Sequence, residues 1–238
     1  MKRKIITATL MLGVSLSLLS ANVCQETEVH VGSIKQMDLL IEKCEKLESV
    51  SKTVDLNVST ASASQLENIL VVSKLVSVYP NEPEAKTQII KSVLKYSEEY
   101  DIDPLTLTAL IAKESSMNKG AKHGSVFVKI PTAPHWTKIK SARVTAVGMG
   151  GVIFEIWKYE LAEIGITSRE ELFGIETNIK ASAFILSIYT HERKQLKHTD
   201  SREQSALLRY YGVTRNKWGV PNKTYSTQVY KIKNSIEG

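Results

Sequence analysis

Apolar positions along most of this chain recur at helical rather than alternating spacing. Residues 34–48 put Ile34, Met37, Ile41, Cys44 and Leu47 on one stripe, after which 49–64 lose any period and read as a loop. A second apolar helix is expected over 65–79, with Leu66, Ile69, Leu70, Ser73 and Val76, stopped by Pro80 and Pro83. From 86 onward Ile89, Ile90, Val93, Leu94 and Ser97 mark an amphipathic helix ending near Tyr100. Asp103-Pro104 is a helix start, because Asp can accept from free N–H groups and Pro is pre-set for the first turn. Leu105, Leu107, Thr108 and Ile111 carry that helix to Lys113-Glu114-Ser115-Ser116.

Residues 118–146 read as irregular. Gly148-Met149-Gly150-Gly151 then opens a helix with Val152, Ile156 and Tyr159, and Trp157, Leu161 and Ile164, at helical spacing, ended by Gly165. Ser168-Arg169-Glu170-Glu171 reads as a capping box over a short helix, and Asn178 as the start of the next, which carries Ile179, Ala183 and Leu186. Helices over 201–211 and 224–235 close the chain. Strand signals are scarce, so the expected class is mostly α.

The first 21 residues change the picture. Lys2, Arg3 and Lys4 precede an uncharged run from Ile5 to Leu19, and Ser20-Ala21 follow. That order is a secretory signal peptide, with cleavage expected near Ala21, and the run is short for a membrane anchor. Ala21-Asn22-Val23 is a poor lipobox, so lipidation at Cys24 is not the reading taken. The expected organisation is a signal peptide (1–21), a helical extension and linker (22–85), and a main helical domain (86–238). Export would put Cys24 and Cys44 under oxidising conditions where they could pair, although nothing in the sequence shows their geometry.

Charge adds little. With 31 Lys+Arg against 25 Asp+Glu the net charge is +6, and removing the leader brings it near +3 by loss of three cations. This mild excess gives no reason to expect nucleic acid, and it suits an anionic polymer such as a cell wall. The five His show no metal-ligand spacing, and there is no GxSxG elbow or phosphate loop, so neither a metal nor a cofactor is expected.

Glu114 is the residue with chemical interest. At the end of an apolar helix a carboxyl group can be desolvated, which raises its pKa and lets it act as a general acid toward a glycosidic oxygen. Its company sharpens that reading. Ser97-Glu98-Glu99-Tyr100-Asp101-Ile102-Asp103-Pro104, Glu114-Ser115-Ser116-Met117-Asn118, Gly148-Met149-Gly150-Gly151-Val152-Ile153-Phe154, Asn178-Ile179-Lys180-Ala181, Ala206-Leu207-Leu208-Arg209-Tyr210-Tyr211-Gly212 and Tyr225 with Val229 occur in that order. Together these blocks make residues 89–238 resemble the lysozyme-like soluble lytic transglycosylases, bacterial enzymes that cut peptidoglycan glycan strands.

The resemblance implies that Glu114 is the catalytic acid/base and that Ser115, Gly148, Gly150, Gly151, Phe154, Asn178, Tyr210 and Tyr211 line the substrate site. Tyr210 would orient Glu114 or simply pack in the core; Ser115 would hold substrate or begin a turn; Asn178 would contact ligand or cap its helix. The sequence departs from the family at three places. Phe154 stands where relatives carry a sugar-contacting Gln, Tyr211 where they carry Asn, and 119–146 looks like an insertion beside the cleft. Glu155, the nearest candidate for a second catalytic carboxylate, reads as surface charge. The partner implied is peptidoglycan in the cell envelope, with a secretion, conjugation or phage-related machine as an analogy-based extension. A muramidase on the same scaffold and a non-catalytic peptidoglycan-binding subunit remain open alternatives.

Overall fold

The computed structural model describes residues 63–192, 195–216 and 218–235. The expected signal peptide, the 34–48 helix, most of the following loop and both cysteines lie outside these residues. Among them seven α-helices alternate with one small hairpin: α1 (Ala63–Ser77), α2 (Pro83–Glu99), α3 (Pro104–Ser115), β1 (Val126–Pro131), β2 (Ile139–Val144), α4 (Phe154–Glu163), α5 (Ile175–His191), α6 (Arg202–Tyr211) and α7 (Thr224–Asn234). The compact unit runs from Ala63 to the C-terminus. It begins ahead of the boundary at 86 drawn from the sequence, because α1 packs on α2 and α3. No helix among the described residues is long and apolar enough to cross a membrane.

The core forms around α3. Asp103 caps it by accepting from the amides of Leu105 (3.3 Å) and Thr106 (3.1 Å). Such a cap is worth about 1 kcal/mol. Lys233 on α7 closes on the same carboxylate at 2.6 Å. Burial pushes the Asp103 pKa up, but the bonds from Lys233 and Thr106 outweigh it and hold the group below its ordinary value. Thr106 through Ala112 are all buried. A helix covered on every side needs neighbours all round, and α1, α2, α5 and α7 supply them. Leu107, Leu110 and Ile111 are fully enclosed, each worth about 1.5–3 kcal/mol of burial. From Thr106 to Ala112 the helix is therefore covered on every side, not on one face alone.

Four expectations need correcting. Residues 126–144 form an antiparallel hairpin, with Val126 opposite Val144 and Pro131 opposite Ile139. Prolines masked it; Pro131 is tolerated because it sits at the end of a strand in a two-stranded sheet, where a missing N–H costs little. The helix expected from the glycine block begins only at Phe154, since Val152 instead exchanges two backbone hydrogen bonds with Val147 (2.9 and 3.1 Å). Third, α5 starts at Ile175 after Gly174, a full turn ahead of Asn178. The 168–171 box is only half formed: Glu171 accepts from the Ser168 amide (2.8 Å), but the Ser168 hydroxyl donates to Glu171 rather than capping the helix.

Candidate active site

Glu114 lies on the last turn of α3, and the chain turns sharply just beyond it. Ser116 and Met117 both take left-handed backbone conformations (φ 52° and 61°), which non-glycine residues adopt only when the surroundings enforce it. The fully buried Met117 side chain supplies that enforcement. Ser115 turns its hydroxyl back onto the Ile111 carbonyl at 3.2 Å.

Opposite the carboxyl group stands the Gly148–Gly151 loop, closed at its base by the Val147–Val152 pair. A Cβ on Gly151 would lie 2.8 Å from Glu114 Oε2 and 3.3 Å from His123 Nε2, so only glycine leaves that face of the carboxyl group open. At Gly150 a Cβ would fall 1.8 Å from the Ser182 hydroxyl. Close approach, not backbone freedom, requires glycine at that position.

Asn178 holds this loop. Its Oδ1 accepts from the Gly150 amide at 2.7 Å, and its Nδ2 donates to the carbonyls of Leu172 (2.7 Å) and Val147 (3.2 Å). At 1% exposure it neither caps α5 nor faces solvent; it satisfies backbone groups that the loop would otherwise bury unpaired. Tyr210 on α6 adds a second tie, donating to the Gly150 carbonyl at 2.7 Å.

The direct partner of Glu114 is Tyr225, whose hydroxyl donates to Oε1 from the first turn of α7. Burial and the Glu114 charge push the Tyr225 phenol far above its ordinary range, so it remains a donor. Burial likewise pushes Tyr210 up, with a smaller contribution from Glu114. Tyr211 stacks on the Tyr225 ring, with centroids 4.5 Å apart and planes at 14°, and stays 56% exposed. Phe154, at the start of α4, packs partly onto the cluster of Val147, Val152, Leu161 and Leu172.

Burial raises the Glu114 pKa, and this outweighs the opposing Tyr225 hydrogen bond and the fields of His123 and Lys113. Among the described residues no Asp or Glu is among the groups that shift it. Glu155 is occupied elsewhere, 3.9 Å from Arg169. His123 flanks the carboxyl group with its Nε2 buried and without a protein partner. Among the described residues no cluster of His, Cys, Asp and Glu could hold a metal.

The structure thus brings Glu114, Gly150, Gly151, Tyr210 and Tyr211 into one corner, with Gly148 and Asn178 bracing it from behind. Tyr225 and His123 complete it although the sequence did not single them out as site residues. Tyr225 had a signal in the closing block with Val229; His123 lay inside the segment read as irregular.

The described residues thus form a mostly helical scaffold that sets one desolvated carboxyl group against a glycine loop. The family model described as "Transglycosylase SLT domain" matches residues 91–228, and the chain belongs to that lysozyme-like family of soluble lytic transglycosylases. At family level this supports lytic-transglycosylase-type cleavage of peptidoglycan. No curated protein and no solved structure matches the chain.

Proposed function

We propose that this protein is a peptidoglycan lytic transglycosylase that cuts the β-1,4 bond between MurNAc and GlcNAc with Glu114 as its only acid/base. The observation that carries the reading is the state of Glu114: a carboxyl group with its pKa raised by burial, held by Tyr225 and, among the described residues, with no carboxylate among the groups that shift it. Hydrolytic glycosidases generally use two carboxyl groups, one for the leaving group and one for water or for covalent attack. A single carboxyl group suffices when the nucleophile belongs to the substrate.

In this scheme protonated Glu114 gives its proton to the bridging oxygen as the bond from MurNAc C1 breaks and positive charge develops on the ring. The resulting carboxylate takes the proton from the MurNAc 6-hydroxyl as O6 bonds to C1. The products are a GlcNAc 4-hydroxyl end and a 1,6-anhydroMurNAc end; no water is consumed and Glu114 is again protonated. Tyr225 fixes the rotamer of the acid, which matters because proton transfer requires hydrogen-bond geometry. The unpaired Nε2 of His123 serves a sugar hydroxyl beside the carboxyl group. The exposed Tyr211 ring offers an apolar face to a pyranose, backed by Tyr225.

This reading puts the protein in the cell envelope, where its substrate is, after removal of residues 1–21; N-terminal sequencing of the mature chain checks that part. Digestion of purified peptidoglycan, with mass spectrometry of the soluble fragments, tests the reaction. Anhydro products about 18 Da lighter than reducing forms (one water, by the bond stoichiometry above) are expected from the wild type and absent with Glu114→Gln. Reducing ends would identify a muramidase. Binding to the wall without release of fragments would identify a non-catalytic subunit.

A further inference from the structure

The hairpin carries the chain's charge imbalance. Residues 119–146 contain Lys119, Lys122, Lys129, Lys138, Lys140 and Arg143 and no Asp or Glu, which leaves 25 cations against 25 acids elsewhere. All six are exposed, and among the described residues none makes an ion pair. Of the seven large apolar side chains exposed among those residues, four also belong here: Val126, Phe127 (75%), Trp136 and Ile139. The register sorts them. Phe127 opposes Arg143, Lys129 opposes Ser141 and Pro131 opposes Ile139, so one face alternates apolar and cationic groups. The other face is buried in part, at Ile130 and Val144, while Lys140 and Val126 opposite them are exposed; on the first face only Pro131 is buried.

We propose that this hairpin is a substrate arm, whose open face holds the carboxylate-bearing peptide branches of an uncut glycan strand while its sugars occupy the Glu114 corner. The inference rests on the transglycosylase reading and names the part of the substrate that the arm takes. Cations set among apolar side chains complement short peptides that carry carboxylates and methyl groups. An anionic membrane has similar chemistry, but the root of the arm favours the strand. Lys122 pairs with Val147 at the base of the glycine loop, and the His123 amide donates to the Ala146 carbonyl at 3.2 Å. The imidazole of the same His123 stands beside Glu114, so the arm leaves directly from the wall of the site.

The test is co-sedimentation of the full chain carrying Glu114→Gln, which binds without cutting. The probes are intact sacculi, sacculi stripped of peptides by an amidase, and vesicles of anionic phospholipid. Adding Phe127→Ser, Lys129→Glu and Arg143→Glu is expected to weaken sacculus binding about tenfold, as for a few rim charges and one aromatic contact. Stripping the peptides is expected to weaken the parent similarly and the triple variant no further. Lys91→Glu with Lys231→Glu makes the same change in charge elsewhere and is expected to alter binding less than about twofold. Unchanged binding by the triple variant, an equal loss in the control, or a loss confined to the vesicles overturns the arm. On the Glu114 background, wild type and the Lys91→Glu, Lys231→Glu control are expected to cleave peptide-free glycan chains at the same rate. If neither cleaves while the sedimentation difference persists, the catalytic reading fails and the arm stands as a binding surface.

Discussion

The Glu114 corner and the hairpin share a root and are built on opposite physics. At the corner polar groups are buried and, His123 Nε2 apart, closely matched: Asn178 engages three backbone partners, Tyr210 holds the Gly150 carbonyl, and Tyr225 holds Glu114. On the hairpin, cations and aromatic rings stand in solvent without ion pairs among the described residues. Low dielectric makes each group at the corner expensive to disturb, whereas an exposed charge is screened and cheap to change. A chemical site needs the first condition, because an acid must have a set pKa and a set position. A surface that handles an extended, variable polymer is served by the second.

The comparison is tested most severely at the acid. Glu114→Gln is expected to lower fragment release by about a thousandfold, within the range for loss of a general acid. The same variant should be more stable than wild type at about pH 8 in urea melts, because each unit of raised pKa penalises the ionised folded state. The sign follows from burial: the pKa of folded Glu114 lies above its ordinary 4.5, so the wild type is free of the penalty below that value and bears it as pH rises through the folded pKa. The stability gap should therefore close on acidification. Retained activity would place the acid elsewhere.

Next comes the scaffold. Asn178→Ala orphans the Gly150 amide and the Leu172 carbonyl and leaves the Val147 carbonyl with the Val152 amide alone, and is expected to cost about 3 kcal/mol in denaturant unfolding. A loss below about 1 kcal/mol would mean that water replaces the amide and that the corner is less closed than its burial indicates.

Tyr225→Phe should have a smaller and more diagnostic effect. It keeps the stacking on Tyr211 but removes the donor, so kcat is expected to fall about tenfold. The bond now favours the ionised carboxylate, so its loss should raise the Glu114 pKa and move the basic limb of the pH–rate profile upward. A lower kcat with an unmoved limb would assign Tyr225 to packing alone. At the far end of the scale, Phe127→Ser on the hairpin should leave unfolding free energy within about 0.5 kcal/mol of wild type. A larger loss would show that the hairpin is part of the core.

Much of the helical frame was legible because its determinants are local. The Asp103-Pro104 start lies within three residues of the amides it caps, and the position of Glu114 after an apolar run marked it for desolvation. Local reading failed where one signal had two uses. Asn178 looks like a helix cap because Asn commonly is one, but Gly174 starts the helix and Asn178, one turn in, reaches back to the glycine loop. The hairpin went unread because Val126-Phe127-Val128 breaks strict alternation and two prolines suggest irregularity.

By itself, then, the sequence determined the class of fold and the family blocks and singled out Glu114 as the candidate acid, since period, caps and breakers act over a few residues. The tertiary structure alone decided what surrounds that acid. Tyr225 lies 111 residues from Glu114 and Gly150 lies 28 from Asn178. Such contacts depend on how α3, α5, α6 and α7 pack, and no local spacing encodes them.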